Sequence, residues 1–88
     1  MTLSIDELGK RFWLGKESGR TNRTKIIERD KEILLVDYGW AVLAKRDKDC
    51  DPVTFYKGWE GYSQSTNRHI SKANLRKAKY IKDERRQL

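Results

Sequence analysis

The first apolar residues of the chain recur at helical spacing. They are Ile5, Leu8 and Phe12. Ser4 and Glu7 form the S-x-x-E pattern of a capping box, in which each side chain satisfies the backbone amide of the other residue. The pattern predicts a short amphipathic helix over residues 5–13, which ends near Gly15. The polar segment 16–23 that follows is predicted to be a loop.

The middle of the chain changes to dense aliphatic and β-branched content, broken by turn-like residues. This pattern predicts strands. Their expected bounds are residues 24–28, 32–37, 40–46 and 53–57. The turn cluster 47–52 ends in the only proline. Because the spacings between the strands are short, we expect an antiparallel meander of three or four strands rather than parallel crossovers.

The last part of the chain is predicted to be a basic amphipathic helix. Ser65 or Thr66 can cap it, and Ile70, Ala73 and Ile81 share its apolar face. Basic residues recur on the opposite face at helical spacing, and we call them the basic stripe. They are Arg68, Lys72, Arg76 and Lys79. Leu75 falls off the apolar face, which leaves open a break in the helix at that point.

These elements predict one α+β domain over residues 1–88. It would contain a short N-terminal helix, a small antiparallel sheet and a C-terminal helix packed on the sheet. Apolar residues make up 36% of the chain and charged residues 38%, so the core is expected to be thin. Residues 83–88 are expected to be frayed.

The positive charge is concentrated at the end of the sequence. Of the net charge of +7, residues 63–88 carry +6, whereas residues 1–30 carry +2 and residues 31–62 carry −1. A localised basic segment is typical of proteins that bind a polyanion. The alternative is a solvated basic segment that only keeps the protein soluble. Loop residues that could extend the basic surface are Arg20, Arg23 and Lys25.

The sequence lacks the residue groups that most enzymes and metal sites require. One cysteine, Cys50, excludes an intrachain disulfide and favours a reducing compartment. With one cysteine and one histidine there are too few ligands for a zinc site. Asp47, Asp49 and Asp51 alternate as in a calcium loop, but the glycine and glutamate of such a loop do not follow. We predict a non-enzymatic protein without a cofactor.

Two further features of the sequence predict a cytoplasmic protein. No apolar run reaches the roughly 20 residues that cross a bilayer, and the N-terminus has no apolar signal segment. If the protein is viral, the host cytoplasm is the expected location.

His69 and four aromatic residues are further candidates for contact with a partner. His69 could bind a phosphate or fix the local loop by a hydrogen bond to a carbonyl, and the second role is favoured. The aromatic residues form a predicted rim. They are Tyr38, Trp40, Trp59 and Tyr62. By default they fill the core, but one that is exposed beside basic residues would stack on nucleic-acid bases.

Residues 62–70, "YSQSTNRHI", resemble a YSxTTxRHI motif of small uncharacterised phage and mobile-element proteins. In those proteins a sheet segment of the type VLVSYxTPVA precedes the motif, and residues 33–44 would correspond to that segment. Ser65-Thr66 stands for the Thr-Thr pair, and Gly39-Trp40 replaces Thr-Pro. The resemblance implies phage origin rather than an activity.

A weaker resemblance connects residues 38–75 with chromodomains. The stretch "GWEGYS" and Asn67 are similar to the KWxGYS and NTW segments of that family. In chromodomains three aromatic side chains form a cage for methylated lysine. The matching positions here are Tyr38, Trp59 and Tyr62. The Trp-Glu-Pro that usually follows is absent.

The function expected from the sequence is binding of nucleic acid or of a host nucleoprotein through the basic C-terminal helix. An alternative is an anti-CRISPR-like inhibitor of a host defence enzyme that acts by protein–protein binding. A third is a methyl-lysine reader. The choice between DNA and RNA stays open. The choice between a monomer and a homodimer paired through strand 24–28 stays open as well.

Overall fold

A computed structural model describes residues 2–48 and 52–88 and shows an α+β fold with two α-helices and one five-stranded sheet. The helices are α1, Ile5–Trp13, and α2, Gln64–Lys72. The strands are β1 Thr24–Glu28, β2 Glu32–Asp37, β3 Ala41–Asp47, β4 Val53–Tyr56 and β5 Tyr80–Lys82. Two short 3₁₀ turns are Lys57–Trp59 and Leu75–Lys77.

Helix α1 forms as the sequence predicts. The Glu7 backbone N–H donates to the Ser4 Oγ at 3.2 Å, and the Ser4 N–H donates to the Glu7 carboxylate at 3.3 Å. Both halves of the predicted capping box are therefore present. Leu8 and Phe12 are fully buried and hold the helix against the core.

The sheet has the strand order β1-β2-β3-β4-β5. The first four strands form the predicted antiparallel meander, but β5 adds a fifth strand that runs parallel to β4. The interior strand β2 is buried along nearly its whole length. Part of the outer edge of β1 is covered, because the Ile26 N–H donates to the Gly19 carbonyl and the Thr24 carbonyl accepts from Thr21. That part of the edge is not open for pairing with a second copy.

The C-terminal helix is shorter than predicted: it breaks just before Leu75, where the sequence left a break open, and β5 follows instead of more α-helix. Helix α2 ends after Lys72 because Asn74 adopts a left-handed conformation with φ of 56°, which stops α-helical hydrogen bonding. Leu75 then turns into the core and is fully buried. Ile81 pairs with Phe55 of β4 in the sheet instead of continuing a helical face.

The prediction that residues 83–88 are frayed is wrong. This segment, the tail, runs beside the first part of β3, where β4 pairs only with residues 44–46. The Val42 N–H donates to the Arg86 carbonyl at 3.0 Å, and the Leu88 N–H donates to the Trp40 carbonyl at 3.0 Å. The tail thus satisfies backbone groups of β3 that β4 does not reach.

Two further contacts fix the tail. The Arg86 guanidinium forms a salt bridge with Glu32 and donates to the Tyr56 hydroxyl at 2.9 Å. Hydrogen bonding from Arg86 lowers the pKa of the Glu32 carboxyl despite its partial burial. Gly58 lets the tail pass closely, since a Cβ at that position would lie 2.4 Å from the backbone of Glu84.

Candidate functional site

A buried carboxylate joins the end of β2 to helix α2. The Asp37 side chain is fully buried and accepts a hydrogen bond from the Thr24 hydroxyl at 2.9 Å and from the Thr66 hydroxyl at 3.3 Å. His69 Nδ1 lies 2.9 Å from both carboxylate oxygens. A buried charge is tolerated only when such partners replace its water shell. The network therefore fixes α2 on the sheet.

The spacing of the YSQSTNRHI segment follows from this network. Ser63, rather than the predicted Ser65 or Thr66, caps α2, and its Oγ accepts from the Thr66 N–H at 3.1 Å. Ser63 also donates to the Thr66 hydroxyl at 3.0 Å. Thr66 and His69 are three residues apart and so face the same side of the helix, while Ile70 is fully buried in the core.

His69 has the structural role that the sequence favours, but its partner is a carboxylate rather than a carbonyl. The Nε2 atom has no partner among the described residues and is not buried. The pair Asp37–His69 has the connection found in hydrolytic triads. In the part of the chain that the structure describes, however, no hydroxyl or thiol is hydrogen-bonded to Nε2. Sequence reasoning missed Asp37, whose only signal was a lone acid directly after the apolar run of β2.

Five side chains form what we call the loop surface. They are Arg20, Arg23, Lys25, Tyr38 and Arg68. Arg20, Arg23, Lys25 and Tyr38 line a concavity of about 350 Å³. Arg23 and Arg68 line a second concavity of about 340 Å³ together with His69. Because residues 21–23 line both concavities, the two adjoin.

The loop that carries Arg20 and Arg23 is held in place by its own hydrogen bonds. The Thr21 hydroxyl oxygen accepts from the Thr24 N–H at 2.9 Å and from the Arg23 N–H at 3.1 Å. The Arg23 carbonyl accepts from the Tyr38 N–H at 2.7 Å, and the Arg20 carbonyl accepts from the Leu3 N–H at 2.8 Å. The backbone of the loop surface is therefore preorganised.

The four basic side chains of the loop surface are exposed and are not neutralised. None of them makes an ion pair or a side-chain hydrogen bond with any described residue. Some basic residues elsewhere are paired: Lys48 lies 2.6 Å from the Glu28 carboxylate, and Arg86 is bound to Glu32. The four unpaired cations give the loop surface a local excess of positive charge.

The predicted basic stripe is not one surface. Of its four residues, only Arg68 lies at the loop surface. Lys72 faces a separate groove beside α1, and Arg76 is bonded to the Glu60 carboxylate at 3.2 Å. The Lys79 ammonium lies 5.6 Å from the centre of the Tyr80 ring, next to β5. The prediction assumed a continuous helix, and the left-handed residue Asn74 interrupts it between Lys72 and Arg76.

The predicted aromatic rim divides into two parts. Trp59 is almost fully buried, and its ring contacts Trp40 at 5.2 Å and Tyr62 at 5.1 Å between centroids. The Arg85 guanidinium of the tail covers this cluster, 5.3 Å from the Tyr62 centroid and 5.7 Å from that of Trp59. Tyr38 instead lies beside the His69 ring. The three residues matched to a methyl-lysine cage are therefore not assembled around one opening.

The described ranges contain neither a metal-binding group nor a helix that could cross a membrane. No group of three or more His, Cys, Asp or Glu side chains could hold a metal ion there. None of the described helices is long and apolar enough to cross a membrane. Cys50, Asp49 and Asp51, considered above for thiol and calcium chemistry, lie outside the described residues.

Comparison with protein-family models, with curated proteins and with solved structures gave no match to this chain.

Proposed function

We propose that this protein is a non-enzymatic nucleic-acid-binding protein and that the loop surface is its contact surface. The observation that carries the proposal is the set of four exposed, unneutralised basic side chains around two adjoining concavities. Positive charge that no acidic neighbour neutralises is available to bind phosphates. Such contacts give affinity that falls with salt and position the ligand without reading its sequence.

Tyr38 favours single-stranded nucleic acid over duplex. Its ring is 39% exposed and lies in the wall of the concavity that contains Arg20, Arg23 and Lys25. In single strands the bases are free to stack on an aromatic side chain, whereas in a duplex they are already stacked on each other. Stacking contributes about 1–3 kcal/mol per base. The combination of one exposed ring with several cations is typical of single-strand binding surfaces.

The proposed contact surface differs from the one expected from the sequence. The C-terminal helix contributes Arg68, and the other cations come from the loop before β1 and from β1 itself. A nucleoprotein ligand, phage origin and a cytoplasmic location remain part of the proposal as the sequence suggested them. A host-defence inhibitor is kept as the outcome of the test in which nucleic acid does not bind.

The proposal is tested by fluorescence anisotropy of labelled single-stranded DNA, single-stranded RNA and duplex DNA in a salt series. If the four cations contact four phosphates, log K should fall with log salt with a slope of about −3 for single strands. Between about 50 and 200 mM salt, the affinity should then fall roughly 50-fold. We expect single strands to bind more tightly than the duplex.

Two sets of variants distinguish binding at the loop surface from a general effect of the protein's positive charge. Replacing Arg20, Arg23 and Arg68 by glutamine should make the slope shallower by about 2. The matched control replaces the three other stripe residues, Lys72, Arg76 and Lys79, by glutamine and should leave the slope unchanged.

A third variant tests the stacking role. Replacing Tyr38 by asparagine, which tolerates its left-handed backbone, should lower affinity about 5- to 150-fold without changing the slope. Equal effects of the two charge variants would contradict the assignment of the surface. Absence of binding at low salt would reject the proposed function and favour a protein target.

A further inference from the structure

A groove of about 780 Å³ lies between α1 and the end of α2. It shares no lining residue with the loop surface. Its apolar wall is formed mainly by Trp13, Leu14 and Ala73. Leu14 is 72% exposed, the largest exposed fraction among the large apolar side chains of the described chain. An exposed apolar side chain in a groove is a feature of interaction sites.

The groove is a fixed feature because the two helices touch at one point. A Cβ at Gly9 would lie 2.7 Å from the Ala73 Cα, so α1 can approach α2 this closely only with glycine at that position. Beyond the contact, the Trp13 indole N–H donates to the Ala73 carbonyl at 2.7 Å. This bond uses a carbonyl at the end of α2 and holds the indole in the groove wall. The apolar wall therefore does not depend on a partner for its shape.

Three lysines surround the apolar wall. They are Lys10, Lys72 and Lys77, and all three are exposed. None of them makes an ion pair or a side-chain hydrogen bond with a described residue. Among the described residues that line the groove, Asp6 is the only acidic one. A complementary ligand must therefore combine an apolar side chain with negative charges on both sides of it.

We propose that this groove is a second binding site and that it binds an acidic protein segment carrying a large apolar side chain. The apolar side chain contacts Leu14 and Trp13, and the flanking carboxylates contact the three lysines. The proposal does not rest on nucleic-acid binding by the loop surface. If both hold, the protein connects a nucleic acid with an acidic protein. Complementary charge would mainly accelerate association, and apolar burial would slow dissociation.

The test uses three fluorescein-labelled peptides of equal length with the full-length protein. The first contains glutamates on both sides of a Leu-Phe pair. The second has serines in place of Leu-Phe, and the third has lysines in place of the glutamates. We expect the first peptide to bind most tightly. The second should bind about tenfold or more weakly, because the apolar contact is lost. The third should not bind, because its lysines repel those of the groove. The NMR signal of the Trp13 indole N–H should shift on addition of the first peptide.

Variants of exposed groove residues complete the test without affecting the core. Leu14→Ser should weaken the first peptide about tenfold. Lys72→Glu with Lys77→Glu should weaken it further, and added salt should no longer lower its affinity, because the reversed charges repel the carboxylates of the peptide. The control Lys57→Glu changes an exposed lysine outside the groove and should have no effect.

Three results would overturn the inference. The first is no binding of the acidic Leu-Phe peptide. The second is binding that the groove variants leave unchanged. The third is a loss of nucleic-acid affinity in the Lys72/Lys77 variant, which would assign the lysines to the nucleic-acid surface. Peptide binding without nucleic-acid binding would support the groove alone, and nucleic-acid binding without peptide binding would support only the loop surface.

Discussion

Replacing Asp37 by asparagine tests the importance of the buried network. The substitution keeps the size of the side chain and removes its charge. Two threonine hydroxyls and the His69 Nδ1 contact the two carboxylate oxygens within 3.3 Å. Asparagine keeps one acceptor oxygen and places an amide N–H₂ where the second oxygen was. At least one donor then loses its acceptor in a site without water, because Asp37 is 0% exposed.

The expected loss follows from these contacts. A hydrogen bond to a charged group contributes about 1.5–3 kcal/mol, and a buried polar group left without its partner costs about 1–3 kcal/mol. We therefore expect Asp37→Asn to lower the free energy of unfolding by about 3 kcal/mol. A chain of 88 residues is stabilised by about 4–13 kcal/mol in total. The variant would thus lose a large part of its stability.

Urea denaturation, followed by far-UV circular dichroism and by tryptophan fluorescence, measures this loss. The midpoint should fall while the dependence on urea concentration stays unchanged. The control Asp47→Asn removes an exposed carboxylate that lies 3.3 Å from the Lys45 ammonium and should change stability by less than about 1 kcal/mol. A double-mutant cycle with His69→Gln should give a coupling energy of about 1–3 kcal/mol. Equal, small losses in both Asp variants would refute the network as a main stabilising contact.

Three further predictions concern the tail and the end of α2. Gly58→Ala would place a Cβ 2.4 Å from the backbone of Glu84, and we expect a loss of about 1–3 kcal/mol in urea denaturation, with faster exchange of the tail amides. The pKa of the Glu32 carboxyl is lowered by Arg86, so this contact stabilises the fold above the unfolded pKa near 4.3 and is lost as pH falls through the lower folded value. Acid titration should therefore release the tail in the wild type, and in Glu32→Gln the tail amides should exchange faster already at pH 7. Asn74→Ala should destabilise by about 1 kcal/mol, while Asn74→Gly should not, because only glycine adopts the left-handed backbone without strain.

The parts of the fold that the sequence predicted depend on contacts between near neighbours. The capping box of α1 joins Ser4 to Glu7, and the strands β1 to β4 follow one another in the chain with only a few residues between them. Periodicity and turn residues report such contacts directly. The bounds of α1, β1 and β2 were therefore predicted to the residue.

The errors concern contacts between distant residues. Asp37 and His69 are 32 positions apart, and nothing in the local pattern distinguishes a buried carboxylate from a turn residue. The pairing of Ile81 with Phe55 is of the same kind. The left-handed backbone of Asn74 could not be read from the apolar pattern, although Leu75 marked a possible break in the helix. This residue separates Arg76 and Lys79 from the two stripe residues of α2, Arg68 and Lys72.

The sequence predicted the residues of the loop surface better than it predicted their arrangement. Arg20, Arg23, Lys25 and Arg68 were candidates from charge alone, and the structure brings them together. Tyr38 was a candidate as part of an aromatic rim, and the structure separates it from the other three rings. The ion pairs that exclude Arg76 and Arg86 from a free basic surface could not be read from spacing.

The buried carboxylate also has a consequence for binding rates. Asp37 directly precedes Tyr38, and its partner His69 directly follows Arg68. One network thus fixes two parts of the loop surface that come from different elements, so we expect no slow conformational step before a nucleic acid binds. In stopped-flow experiments the observed rate should rise linearly with ligand concentration. Salt should then act mainly on the association rate constant, whereas Tyr38→Asn should act mainly on the dissociation rate constant.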